Sequence, residues 1–455
     1  MNPKLVILGG AESGVGAALL GKQNGYHVFV SDKGSIAPQY KTMLETAGID
    51  YEEGQHTQEL ILNAAKVVKS PGIPEKAPII TTLRNAGISI ISEIEFAARY
   101  TQAKLIAITG SNGKTTTTAL TYHLLKAGGF NVGVAGNIGN SFAMELASGN
   151  HFDYYVLEVS SFQLDDIVDF QPHIAVITNI TPDHLDRYDY SLDKYAAAKF
   201  NIVRNLTPAD YFIYGADSPE LVQRLNRYPN KATPYPFSLH VDNAVIWSDG
   251  QLIYLPNQST LPVAALSLKG KHNLYNAMAA VAVAQILGVP QPNISRALSS
   301  FIPPEHRLEP VASINGVLFI NDSKATNTDA AWYALDAFTQ PIIWIVGGVD
   351  KGNDYTPLLP LVQSRVKAIV CLGKDNEKII QTFAPIAPTI VQTQSAEQAV
   401  TAAFNLAASG NVVLLSPACA SFDLFNNYQD RGQQFKQAVH HLMQITNTHQ
   451  PNLTQ

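Results

Sequence analysis

Three α/β units in series, each built on a parallel, doubly wound sheet, are what this sequence predicts. Its 455 residues suit three domains at roughly 150 residues apiece. Short β-branched runs alternate with helical stretches along the whole chain, as in strand–helix–strand crossover units. Hydrophobic residues are 46% and charged residues only 15%, which excludes a disordered polyelectrolyte.

The first unit is expected over residues 1–97. Residues 5–8 form a short apolar strand ending in Gly9-Gly10, and a small-residue helix begins within 13–20. Residues 28–30 lead to Asp32, residues 67–68 lead to Ser70-Pro71-Gly72, and 88–91 close the unit. The second unit, 98–302, opens with a strand at 104–109 and continues with strands near 132–135, 154–158 and 173–179. An apolar helix over 276–287, stopped by Gly288 and Pro290, is its expected last element. The third unit, 303–455, follows Pro303-Pro304, with strands at 317–320, 342–346, 368–372 and 412–415. No fixed-period repeat interrupts the series.

Charge and composition narrow the function classes. The 31 basic and 37 acidic residues leave a net charge of −6, which gives no support to a broad nucleic-acid surface. No run approaches the ~20 apolar residues of a membrane span, and residues 5–8 are too short for a signal peptide. Two cysteines, Cys371 and Cys419, make neither a disulfide framework nor a four-thiolate metal site. A cytoplasmic protein is expected, with small-molecule rather than nucleic-acid or membrane partners; a monomer is the expectation, though neither charge nor composition speaks to it.

The strongest local signal is Thr109-Gly110-Ser111-Asn112-Gly113-Lys114-Thr115-Thr116-Thr117, after a strand and at the start of a helix. There, backbone N–H groups and the positive end of the helix dipole can cradle a polyphosphate. Lys114 would reach the β- and γ-phosphates, and the Thr115 hydroxyl would ligate Mg²⁺. The loop is shorter than a standard Walker A loop, whose first glycine would fall at position 108, which is Ile. ATP is therefore the expected ligand. In the first unit, glycines after a strand and an acid ending the next outline a dinucleotide fold. Gly10-Ala11-Glu12-Ser13-Gly14-Val15-Gly16 lacks a clean G-x-G-x-x-G, however, so NAD is not favoured. A non-redox ligand with pyrophosphate and ribose would use the same features.

Further along the second unit, Asn137 lies in Gly136-Asn137-Ile138-Gly139, Glu158 ends a strand, and His184 follows another in Asp183-His184-Leu185-Asp186. Residues at the carboxyl ends of parallel strands point into the ligand crevice of such folds. A carboxylate suits Mg²⁺, while histidine is a poorer magnesium ligand and alone reads as a turn residue. Lys199, on a small-residue helix, reads as a solvated lysine.

Taken in order, these segments resemble the Mur ligase family over essentially the whole chain. Thr109 to Thr116 is similar to the family's short ATP loop. Glu158 to Leu164, with Ser160-Ser161-Phe162-Gln163-Leu164, resembles the D-glutamate-adding branch, and Asp183-His184-Leu185-Asp186 with Lys199 resembles its second-metal region. His306-Arg307-Leu308-Glu309, Asn321 to Asn327, Gly347 to Gly352 and Ser416 to Asp423 match in the third unit. The resemblance implies an N-terminal Rossmann-like domain, a central P-loop ATPase-type domain with a parallel or mixed sheet, and a C-terminal Rossmann-like domain. It also implies ATP-dependent addition of D-glutamate to UDP-N-acetylmuramoyl-L-alanine through an acyl phosphate. The alternatives are a sibling ligase adding another amino acid and, from another class, a nucleotide-dependent switch ATPase.

Residue roles follow from the same resemblance. Gly110, Ser111, Asn112, Gly113, Lys114, Thr115 and Thr116 would hold ATP, with Asn273 and Asn276 beside the adenine and Arg307 and Asp322 contributing from the third domain. Thr115, Glu158, His184 and Lys199, the last as a CO₂-derived carbamate, would hold two Mg²⁺ ions. Lys114, Glu158, His184 and Lys199 are thus the implied catalytic set. Ser13, Asp32 and Lys33 with Ser70, Pro71 and Gly72 would hold the uridine diphosphate end, where Ala11 stands in place of the family's usual glycine. Asn137 and His184 would touch the muramoyl-alanine end. Lys324, Thr326, Lys351, Ser421 and Phe422 would take the incoming amino acid; lysines suit a dicarboxylate, and a helix start near Ser421 would add backbone donors. Cys419 has no activating histidine in its motif and reads as a small buried residue.

Overall fold

The computed structural model describes residues 2–240 and 244–448. Three sheets carry the chain. Strands β1 (Lys4–Leu8), β2 (His27–Asp32), β3 (Asp50–Glu53), β4 (Lys66–Lys69) and β5 (Ile90–Ser92) form an all-parallel sheet in the order β3-β2-β1-β4-β5. Every side chain from Leu5 to Leu8 is buried, as expected for a parallel strand covered on both faces. The acidic, half-exposed β3 carries no apolar run, which is why the sequence does not announce it.

The central sheet is larger than expected. It contains β6 (Lys104–Thr109), β7 (Val132–Gly136), β8 (Tyr154–Glu158), β9 (Ile174–Ile177), β10 (Tyr211–Gly215), β11 (Thr233–Ser238), β12 (Ile246–Ser248), β13 (Leu252–Tyr254) and β14 (Thr260–Pro262). Their order is β14-β13-β12-β11-β10-β9-β6-β8-β7, with only the β12-β13 and β13-β14 pairs antiparallel. The apolar helix begins at Lys271 rather than 276 and runs to Ile286; residues Ala277 to Ala284 are all buried against Ile106, Ile108, Val156 and Val176. It is not the last element of this region: Gly288 (φ +75°) closes this helix, and Pro290 stands at the N-cap of the next, Gln291–Ser300.

The third sheet holds β15 (Glu309–Ile314), β16 (Val317–Asn321), β17 (Ile342–Val346), β18 (Val366–Leu372), β19 (Ile390–Thr393) and β20 (Val412–Leu415), in the order β15-β16-β20-β17-β18-β19. Only β15 is antiparallel. Along β17 the period-2 alternation sends Ile342, Trp344 and Val346 into one core and Ile343 and Ile345 into the other. By packing, the chain divides into two compact units. One comprises Met1–Pro182, Arg187–Leu268 and Asn273–Phe301, and so contains the first two sheets. The other comprises Asp183–Asp186, Lys269–His272 and Ile302–Gln455. No helix among the described residues is long and apolar enough to cross a membrane.

Candidate active site

The phosphate loop leaves β6 at Thr109 and enters the 14-residue helix Lys114–Ala127. Its shape depends on two glycines. Gly110 (φ +144°) and Gly113 (φ +82°) hold backbone angles that other residues rarely adopt. A Cβ would lie 1.9 Å from Thr178 Oγ1 at the first and 2.1 Å from Asn276 Oδ1 at the second. Neighbouring segments pin the loop. Ser111 N donates to Asn179 O (3.0 Å), Asn112 N to Asn179 Oδ1 (2.9 Å) and Thr178 Oγ1 to Asn112 O (2.7 Å).

Two lysines converge on this loop. Lys114 folds back so that Nζ donates to Gly110 O (2.8 Å) and Ser111 O (2.7 Å). Lys199, near the end of the helix Leu192–Phe200, donates from Nζ to the same Gly110 O at 2.7 Å and lies 4.5 Å from the Tyr195 ring. It is 1% exposed, which corrects the expectation of a solvated lysine. The helix also buries Tyr195, Ala196, Ala198 and Phe200, and the Lys199 side chain reaches the loop. Burying an ammonium is costly unless acceptors surround it, and a loop rich in carbonyls provides them.

Glu158, the last residue of β8, is 1% exposed. Its Oε1 accepts Asn137 Nδ2 at 2.9 Å, and Asn137 N donates to Glu158 O at 2.9 Å. Gly136 (φ +107°) permits this approach, since a Cβ there would sit 2.3 Å from Glu158 O. Beyond Glu158, Ser160 and Gln163 form a reciprocal capping box on the short helix Ser161–Leu164. Asn273 and Asn276 are buried on the helix Lys271–Ile286, and Asn276 Oδ1 accepts Thr117 Oγ1 at 3.4 Å. Thr115 and Thr116 are also buried, in the first turn of the loop's helix. The loop residues, Lys114, Lys199, Thr115, Asn276 and the Asn137–Glu158 pair therefore gather at the carboxyl ends of β6, β7 and β8.

These residues fit a magnesium nucleotide. The glycine cradle, the helix start and two lysines suit a triphosphate. Among the described residues no three of His, Cys, Asp and Glu form a preformed cage. A Thr hydroxyl and a carboxylate are nevertheless the sparse oxygen set that Mg²⁺ takes when phosphates supply other ligands.

In the first sheet, Asp32 closes the glycine turn: Oδ2 accepts Gly10 N (2.6 Å) and Oδ1 accepts Gly34 N (2.7 Å). Ala11 is extended at φ −87°, so this position does not require the family's glycine. Ser13 is half-buried in the first helical turn, Lys33 is exposed, and Ser70 is buried against Gly9 and Gly14, ahead of half-buried Pro71 and exposed Gly72. Arg187 was not foreseen here. It stacks 4.4 Å from the Phe162 ring and donates to Pro71 O (3.3 Å), Ile73 O (3.4 Å) and Gly72 O (3.5 Å). Glu93 was also missed. It is buried where the first sheet meets the second, accepts Ala143 N at 2.5 Å, and is pushed up to about 8 by burial.

The compact unit that comprises Asp183–Asp186, Lys269–His272 and Ile302–Gln455 gathers the remaining residues. Asp322, after β16, accepts Leu308 N (3.2 Å) and Ser416 Oγ (2.9 Å), and burial pushes its carboxyl up to about 7, with the Arg307 guanidinium opposing. Lys324 Nζ lies 5.1 Å from the Tyr428 ring, and Thr326 N donates to Lys324 O. Lys351 Nζ is 3.8 Å from Asp183 Oδ1, and His184, at φ +51°, has its Nε2 3.7 Å from Asp183 Oδ2. Ser421 is buried and Phe422 is 73% exposed. No helix begins at Ser421, which corrects that expectation. Residues 421–427 form turns, and the long helix Tyr428–Thr448 starts where Asn427 Oδ1 caps Asp430 N at 2.8 Å. Cys419 is buried beside Tyr355 Oη (3.2 Å), with its thiol pushed up to about 11, as suits a packing residue.

Residues 5–79 match the MurD N-terminal domain, 108–284 the Mur ligase middle domain, and 306–419 the Mur ligase glutamate ligase domain. The UDP-N-acetylmuramoylalanine–D-glutamate ligase of Christiangramia forsetii is 53% identical over 446 residues, covering 97% of this chain and all of the relative. The chain belongs to the Mur ligase family. The enzyme of the same name from Bacteroides fragilis is 50% identical over 449 residues, covering 96% of this chain and all of that one. UDP-N-acetylmuramate-alanine ligase of Thermotoga maritima, 20% identical, shares the fold at a TM-score of 0.63, covering 96% of this chain and 99% of its own. This Mur ligase is thus an ATP-dependent ligase by family and a three-domain α/β protein by fold, as the sequence predicts.

Proposed function

We propose that this Mur ligase adds D-glutamate to UDP-N-acetylmuramoyl-L-alanine, forming ADP and phosphate, as a step of peptidoglycan precursor synthesis in the cytoplasm. The observation that carries the reading is 53% identity to a D-glutamate ligase over nearly the whole chain. The chemistry is demanding because a carboxylate will not condense with an amine when its leaving group is oxide. Transfer of the γ-phosphoryl group to the alanyl carboxylate gives an acyl phosphate and ADP. The amine of D-glutamate then attacks the carbonyl carbon, and phosphate leaves with one former carboxylate oxygen.

Each residue has a stated part in this proposal. Gly110 to Thr116 hold the triphosphate, and Lys114 balances charge on the β- and γ-phosphates as the substrate carboxylate approaches. Asn273 and Asn276 flank adenine, with Arg307 and Asp322 on the nucleotide as well. Thr115, Glu158, His184 and Lys199, the last as a carbamate, are the ligands for two Mg²⁺. The metal, when bound, supplies charge neutralisation between phosphoryl group and carboxylate. Carbamylation would turn the buried ammonium of Lys199 into an anionic oxygen ligand. Ser13, Asp32, Lys33 and Ser70 to Gly72 hold the uridine diphosphate, and Asn137 and His184 the muramoyl-alanine end. Lys324, Thr326, Lys351, Ser421 and Phe422 receive D-glutamate. The enzyme acts as a monomer, without nucleic-acid or membrane partners.

Phosphate release from Mg·ATP, measured with the nucleotide precursor and D-glutamate, L-glutamate, lysine, diaminopimelate or no amino acid, tests the reading. Release should require both the precursor and D-glutamate. Release with another amino acid would move the enzyme to a sibling branch, and steady release with none would indicate a switch ATPase.

A further inference from the structure

Arg431 lies one turn into the helix Tyr428–Thr448, is 1% exposed and has no place among the residues discussed above. Its five N–H groups make five hydrogen bonds. Nε donates to Ser323 Oγ (3.0 Å). Nη2 donates to Ser323 O (2.8 Å) and Cys419 O (3.2 Å), and Nη1 to Cys419 O (3.2 Å) and Gly347 O (3.4 Å). These acceptors belong to three segments far apart in sequence. Ser323 precedes Lys324 and Thr326, Gly347 precedes Lys351, and Cys419 precedes Ser421 and Phe422. Each of the three carries residues proposed to receive the amino acid.

We propose that Arg431 is a positioning residue that sets the amino-acid pocket, registering the 323–326, 347–351 and 419–422 segments against one another; this rests on the proposed D-glutamate specificity. With no N–H left over, its guanidinium acts through the backbone it holds and not by touching substrate. The planar fork matters: one rigid group spans three segments, which a point-charge ammonium on a flexible stem does not reproduce. The site around it is built for close approach. Gly432 follows directly, and a Cβ there would meet His306 Nδ1 at 2.3 Å. Ser323 Oγ in turn donates to Tyr428 O (2.8 Å), tying the same segment to the start of the helix. Among the described residues no carboxylate lies within ion-pairing distance of the guanidinium. Asp322 and Asp423 are the acids whose charges act on it, and burial lowers it to about 10, so the cation persists at neutral pH.

The test is steady-state kinetics of Arg431→Lys on the full chain, varying each substrate in turn. KM for D-glutamate should rise by about tenfold or more, while KM for ATP and for the nucleotide precursor stay within about twofold. Hydrogen exchange of the unliganded protein should show faster amides in 323–326, 347–351 and 419–422 but not in the loop at 110–116. Adding methylguanidine to Arg431→Ala should restore part of the D-glutamate affinity, and methylamine should not. Should Arg431→Lys fail to fold, Ser323→Ala removes only one acceptor and should still raise KM for D-glutamate selectively, by about threefold. An unchanged D-glutamate KM, or an equal rise for all three substrates, would overturn the proposal. If the wild-type enzyme ignores D-glutamate, the functional reading fails instead, and the exchange experiment still judges the registering role.

Discussion

Two glycine turns, each between a strand with parallel neighbours and a helix, differ in the charges around them in this protein. The turn at Gly9-Gly10 leads to a helix whose first residue is Glu12, and its Gly10 N–H is already taken by Asp32. The turn at Gly110 to Gly113 leads to a helix whose first residue is the half-buried Lys114, and the fully buried Lys199 faces the same carbonyl. Acid at a helix start satisfies the dipole internally and competes with an anion, whereas lysine there recruits one. The same βα geometry is therefore tuned by a few side chains, in line with the proposed roles of the first turn toward uridine diphosphate and of the second toward a triphosphate. Glycine patterns alone do not make this distinction, and the charges around them do.

The largest effect expected from breaking this contrast is at Lys114. Lys114→Ala should lower phosphate release by about 10³-fold, because charge neutralisation at the transferred phosphoryl group is the main catalytic contribution in such sites. Rapid-quench assays of the variant against wild type measure it, and activity within about tenfold of wild type would show that the lysine contrast does not matter. Next comes Gly113→Ala. Its strained φ and the contact with Asn276 should weaken ATP binding by about 30-fold, while calorimetric affinity for the nucleotide precursor changes little. Asp32→Asn should act the other way round, raising KM for the precursor by about tenfold and leaving ATP untouched. Equal effects on both substrates in either variant would contradict the assignment of the two turns.

Glu93, with Glu12 facing it, should also make stability respond to pH. Glu93 has a folded-state value near 8, raised by burial and by Glu12, against an ordinary 4.5. The folded protein then holds more protons than the unfolded chain across that window. Stability is greatest below about pH 4.5 as far as this group is concerned, and falls as pH rises toward about 8. Glu12 from the helix Glu12–Gln23 is the charge facing it, with Gln163 and the Phe142 and Ala143 N–H groups on the other sides. Glu93→Gln should flatten this slope, by on the order of a kcal/mol or more between pH 5 and 8 in urea titrations. An unchanged slope would show that Glu93 is charged in the fold.

How much of this was legible in the sequence depended on whether the cause was local. Strands β6, β8, β17 and β20 are short apolar runs covered on both faces, and the sequence outlines them to the residue. The stretch from β10 to β14 was unread. Pro234 and Pro236 lie in β11 and disguise it as a loop. They are tolerated because Val245 N bonds Pro236 O on the β12 side, where β12 pairs only with Phe237 and Ser238. β12, β13 and β14 are three residues each, too short for periodicity. The phosphate loop was plain because its chemistry is contiguous. Lys199 was not, since its burial is a tertiary consequence of the Gly110 carbonyl, and only resemblance pointed to it. Arg431 left almost no trace among the glutamines of its helix, although a glycine directly after it, inside a long helix, was a signal of close approach.

The most direct test of amide formation through an activated carboxylate follows an oxygen atom. Nucleotide precursor labelled with ¹⁸O in its alanyl carboxylate is turned over with Mg·ATP and D-glutamate, and the released phosphate is analysed by mass spectrometry. The account predicts one labelled oxygen in each phosphate formed, carried there through the acyl phosphate. Phosphate without label, in amounts matching ADP, would mean that water and not the carboxylate receives the phosphoryl group, and would contradict the ligase account.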